Sequence, residues 1–65
     1  MGKELYTLVG AEFEHETDAA ICVRIPGEET IWLPLSQIES IEWSKDRKIV
    51  NVTMSAWIAK QKHLI

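Results

Sequence analysis

Cysteine occurs once in this chain, at Cys22, so no internal disulfide can form, and no Cys/His pairs at zinc spacing supply a metal clamp in its place. The three glycines are scattered at positions 2, 10 and 27, which excludes a glycine-rich phosphate loop. No apolar run approaches the roughly 20 residues that cross a bilayer as a helix, and the amino end lacks the charged-then-apolar pattern of a signal peptide. No membrane association and a cytoplasmic location are therefore expected. Positive charge is also short: seven Lys and Arg stand against ten Asp and Glu, a formal net charge of −3. Such a surface repels a phosphate backbone unless its cations cluster. They cluster only weakly, at Lys45, Arg47 and Lys48.

What is present is an ordinary globular balance, 46% apolar and 26% charged, far from the composition of a disordered chain. The 65 residues are read as a single domain, 1–65. At this size only about 60% of the unfolded surface can be buried, so the core is small. Without a disulfide or a metal, self-association is the expected further support, and a homo-oligomer follows as an expectation. Two short motifs are set aside. Met1-Gly2 begins a myristoylation pattern that fails at Tyr6, and the sequon Asn51-Val52-Thr53 has meaning only in a secreted chain.

Strict alternation of apolar and polar residues marks half-buried strands, because successive side chains leave opposite faces of a sheet. Residues 4 to 14 read as a first strand, with Leu5, Val9, Ala11 and Phe13 on one parity and a bulge or bend expected at Gly10. Ile21, Val23 and Ile25 give a second strand, with Cys22 on its surface side. Pro26-Gly27-Glu28-Glu29 turns the chain into a third strand, Thr30 to Leu33. Residues 35 to 41 allow either a helix or a turn followed by a strand. A 3₁₀ turn at 35 to 38 and a strand at 39 to 44 fit the alternation of Ile41, Glu42 and Trp43 better. Val50, Val52 and Met54 mark a fifth strand. Ser55 is placed to cap a terminal helix, with Trp57, Ile58, Leu64 and Ile65 expected on one face that closes the open side of the sheet. The expected fold class is mainly β: a five-stranded SH3-like or OB-like barrel or curled antiparallel sheet with a short C-terminal helix.

The segments "TIWLPLSQIESIEW" and "MSAWIAKQKHLI" resemble a pattern found in small uncharacterised proteins of bacteriophages and prophages. There, a strand like "AAICVRI" precedes Trp-Leu/Ile-Pro-x-Ser-Gln-Ile/Val, and the chain closes with Trp-Leu/Ile-Ala, a few polar residues and a terminal Leu or Ile. The match spans roughly residues 19 to 65 and includes Trp32, Leu33, Pro34, Ser36, Gln37, Ile38, Trp57, Ile58, Ala59 and Leu64. Leu35 stands where a lysine is common, so a cation-dependent contact at that corner does not carry over. The resemblance implies a phage-encoded accessory protein in the host cytoplasm. By analogy with short phage proteins that occupy a host protein or complex, including inhibitors of host defence, it suggests binding rather than turnover.

Among the residues themselves, Trp32 is the leading partner-binding candidate, since alternation sends it outward when Ile31 and Leu33 face the core. The plainer reading is that it covers a thin wall of the sheet. Glu12, Glu14 and Glu16 are expected to share one strand face at intervals of about 7 Å, either as a ladder that imitates nucleic-acid charge to a basic partner or as a solvated face that blunts an edge. A single-stranded nucleic-acid binder is the alternative, with Trp32 or Trp43 as stacking platforms and Lys45, Arg47 and Lys48 on the backbone. A further alternative is an oligomeric sponge for a nucleotide signal, using a pocket at Arg24 or Lys48. No catalytic residue, metal site or cofactor is assigned, because His15 and His63 lie near opposite ends of the chain with no base-orienter pair, and the neighbours in Glu14-His15-Glu16 point apart along a strand.

Overall fold

The computed structural model describes residues 4–65, so the Met1-Gly2 pattern lies outside the described residues. The described chain runs β1 (Leu5–Glu16), β2 (Ala20–Arg24), β3 (Thr30–Pro34), a 3₁₀ turn (Leu35–Gln37), β4 (Ile38–Trp43), β5 (Ile49–Ser55) and α1 (Ala56–Gln61). All pairings are antiparallel, and the strands form one sheet in the order β3-β2-β1-β5-β4. The sheet is not closed: among the described residues nothing pairs with the outer side of β3 or of β4.

Alternation explains the core. Ile21, Val23, Leu33, Val50, Val52 and Met54 are all fully or almost fully buried, and each comes from the inward parity of β2, β3 or β5. Leu8 and Ala11 complete the layer from β1, and Ile58 and Ala59 cover it from α1.

β1 departs from simple alternation. Its register against β5 shifts between Leu8↔Val52 and Ala11↔Val50, which inserts one extra residue at Gly10. Gly10 sits at φ +76°, the left-handed region that side chains avoid, and its N–H donates to Asn51 Oδ1 at 2.9 Å. The inserted residue reverses parity, so Tyr6 and Leu8 face inward before the bulge and Ala11 and Phe13 after it. The expected common face of Leu5, Val9, Ala11 and Phe13 is thereby corrected: Leu5 is 49% and Val9 72% exposed.

The 3₁₀ turn is tied to the helix rather than to solvent. Leu35 donates its N–H to Ala19 O at 2.9 Å, and Ser55 Oγ donates to Gln37 Oε1 at 2.7 Å while accepting from the Ile58 N–H at 3.3 Å. Ser55 thus caps α1 and links it to the corner after β3 in one hydroxyl. At the other end, Lys62 N donates to Ile58 O and Leu64 N to Ala59 O, with His63 at φ +60°. This is the αL stop that usually employs glycine, and it folds Leu64 back on the core. The expectation is corrected for Trp57 and for Ile65, both of which are exposed. Ala56, Ile58 and Ala59 form the buried side of α1, which leaves Trp57 61% exposed.

Replacing Gly10 by Ala meets no atom within 4 Å but forces a side chain into the left-handed region. The expected loss is about 1–2 kcal/mol in denaturant unfolding, with Gly10→Asn costing less because Asn tolerates that conformation.

Candidate binding face

The outward faces of β1, β2 and β3 carry the residues singled out in the sequence, and register decides which of them meet. Cys22 is the cross-strand partner of Trp32 on one side and of His15 on the other. Directly opposed side chains lie within contact range. Flanked in this way, Cys22 is only 3% exposed, so its expected place on an open strand surface is corrected: the parity is outward but the thiol is covered. Trp32 itself stays 44% exposed.

Arg24 pairs with Glu12 across β1 and β2 and with Thr30 across β2 and β3. Its guanidinium takes Glu12 Oε1 in a forked contact through Nε and Nη2 and lies 3.7 Å from Glu14 Oε2. The hydrogen bond that Arg24 donates to Glu12, then the charges of Glu12 and Glu14, raise the Arg24 pKa above its ordinary value. The group therefore keeps its charge at every accessible pH, but that charge is already matched by carboxylates. A free phosphate would have to displace them, which weakens the reading of Arg24 as a nucleotide contact.

The acidic ladder is broken. A second register shift in β1, between Phe13↔Val23 and His15↔Cys22, inserts a residue at Glu14 and reverses parity again. Glu12 and Glu14 converge on Arg24, whereas Glu16 pairs with the core residue Ile21 and so sits on the opposite parity from Glu12. The expected single face of Glu12, Glu14 and Glu16 is replaced by a compact Glu12-Arg24-Glu14 cluster.

The residues of the nucleic-acid alternative lie elsewhere. Trp43 ends β4, at the opposite end of the strand order from β3, with its ring edge-on to Phe13 (centroids 5.1 Å apart, 68° between planes). Arg47, at φ +60°, lies 4.5 Å over the Trp43 ring, a cation–π contact that offsets the cost of its backbone. Lys45 and Lys48 are exposed in the same turn. Asp46 anchors that turn by accepting from Ser44 Oγ at 2.7 Å and from the Lys48 N–H at 3.0 Å, and these bonds, Ser44 first, hold its carboxyl below the ordinary Asp value. Their stabilising effect is present above the unfolded-state value and is lost as pH falls through the lowered folded one. The Trp32 face and the basic turn are not neighbours in the sheet.

Two features were not read from the sequence. Arg24 was not assigned to Glu12, although an antiparallel hairpin of these strands places them opposite one another. An open cleft of about 390 Å³ lies between the β2–β3 turn and the end of α1, lined in part by Glu28, Glu29, Lys62 and His63. Nothing local in the sequence links residues so far apart. Among the described residues no group of three His, Cys, Asp or Glu could jointly hold a metal ion.

No family model matches the chain, and no significant match is found among curated proteins or solved structures.

Cys22 is expected to react slowly with a thiol reagent in the native protein. Trp32→Ala, which uncovers one side of it, should speed that reaction severalfold without a matching change in unfolding free energy, as measured by alkylation under native conditions.

Proposed function

We propose that this chain is a non-catalytic accessory module of a bacteriophage or prophage that binds a host macromolecule and alters its action by occupying it. The phage origin rests on the resemblance carried by "TIWLPLSQIESIEW" and "MSAWIAKQKHLI". The binding surface is the outward face of β2 and β3, and one observation carries it: Trp32 is 44% exposed beside a charged Glu12-Arg24-Glu14 cluster. A large, stiff aromatic with a charged cluster to one side suits an interface anchor, whose energy comes from burial on docking while the charges set orientation. Occlusion needs no reacting group, only a partner that loses access to its own ligand when Trp32 is seated.

The single-stranded nucleic-acid reading draws less support, because Arg47 already occupies one face of the Trp43 ring. A deficit of cations also opposes the salt-dependent term that dominates such binding. The sponge reading meets the same obstacle at Arg24, whose charge is matched by Glu12 and Glu14.

The test is a titration against the partner that the chain retains from a bacterial host extract. Trp32→Ser should weaken binding by about tenfold or more, as expected for an anchor. Glu12→Lys combined with Glu14→Lys should weaken it as well, whereas Glu16→Lys, across the second bulge, should leave it unchanged. Trp57→Ser, which removes an even more exposed indole, should have no effect. Equal losses at Trp32 and Trp57, or retention of nucleic acid in place of protein, would overturn this reading.

A further inference from the structure

β3 is a terminal strand, and its backbone alternates between the neighbour it has and the one it lacks. The Leu35 N–H to Ala19 O bond continues the β2–β3 register, in which Ala20 opposes Pro34, by one more pair and so fixes its phase. Counting back in steps of two, Leu33 and Ile31 direct their N–H and C=O groups to β2, while Thr30, Trp32 and Pro34 direct theirs to the open edge. Proline has no N–H to strand there, which is where sheets accept it. Thr30 and Trp32 have both groups, and among the described residues no strand meets them.

Edges of this kind are commonly guarded by charged side chains. β4, the other terminal strand, reads Ile-Glu-Ser-Ile-Glu-Trp and carries Glu39 and Glu42, whereas β3 reads Thr-Ile-Trp-Leu-Pro and carries no charge. β3 can therefore meet itself without repulsion between its own side chains.

We propose that β3 pairs antiparallel with β3 of a second copy of this chain about a two-fold axis through Trp32, joining the two sheets into one. This register uses the whole strand. Trp32 opposes Trp32 of the partner subunit and exchanges N–H···O=C bonds with it in both directions, and Thr30 donates its N–H to the carbonyl of Pro34 of the partner subunit. Ile31 falls opposite Leu33 of the partner subunit on the core face. Just beyond the strand, Glu29 falls opposite Leu35 and Glu28 opposite Ser36, so no like charges face one another. An isologous contact demands such self-complementarity. The pairing also addresses the small core, since Ile31 is only partly buried in one copy. It brings two indoles together on the outward face, as cross-strand aromatic neighbours.

Sedimentation equilibrium of the full chain from micromolar to millimolar concentration tests the pairing. The wild type is expected to follow a monomer–dimer equilibrium. Trp32→Pro, which removes the outward N–H but no bond to β2, should be monomeric. Trp32→Lys keeps the N–H and sets two ammonium groups opposite each other, so its dimer should weaken about tenfold at low salt and partly recover as salt is raised. That salt response carries the test if the proline variant fails to fold. Trp57→Ser should dimerise like the wild type. A wild type that stays monomeric throughout would overturn the pairing, as would assembly that grows past the dimer, the mark of β3 meeting β4 of another copy. Equal dissociation by Trp57→Ser would do the same. A monomeric chain that still binds its host partner through Trp32 would overturn this inference alone and leave the proposed function standing.

Discussion

β1 is the middle strand of the sheet: its first half hydrogen-bonds to β5 and its second half to β2, with Glu12 opposed by residues of both. A strand so placed must bend, and it does so by carrying an extra residue at Gly10 and another at Glu14. Each insertion reverses which side chains reach the core, so the composition of the outward face follows from where these bulges fall. The first sends Val9 into solvent and Ala11 and Phe13 inward. The second gathers Glu12 and Glu14 on Arg24 and separates Glu16 from them.

The two segments that carry the phage resemblance meet through the same architecture. Gln37, from the corner after β3, accepts the hydroxyl of Ser55, which caps α1. The Ser-Gln pair is thus structural at Gln37, and Pro34 marks the end of an edge strand. Trp32 shares its outward side chain and edge-facing backbone with Thr30 and Pro34, and it is the aromatic residue of the three. The proposed docking and the proposed self-pairing therefore both draw on Trp32, the first through its indole and the second through its peptide group.

Strand number, strand order of appearance, the 3₁₀ turn and the capped helix were legible because alternation, turn residues and an N-cap serine are local signals. Gly10 was legible as a break. What it does to parity was not, because a bulge shifts register against a partner strand, and that partner, β5, lies some forty positions away. The same reason hid the split of the acidic ladder at Glu14. Cys22 misled because parity predicts the face of a side chain and not what covers it; its cross-strand neighbours, Trp32 and His15, come from two different strands. Trp57 misled because a six-residue helix buries few positions, and the small Ala56 and Ala59 with Ile58 fit closer to the sheet than an indole does.

Residue-resolved amide hydrogen exchange tests the central place of β1 most directly. The β1 amides that face β5, at Tyr6, Leu8, Ala11 and Phe13, should exchange only through global unfolding, and those of β5 opposite them should do the same, while the outward N–H groups of the terminal strands exchange through local openings. Exchange of β1 at rates typical of a terminal strand, on either side of Gly10, would contradict the account.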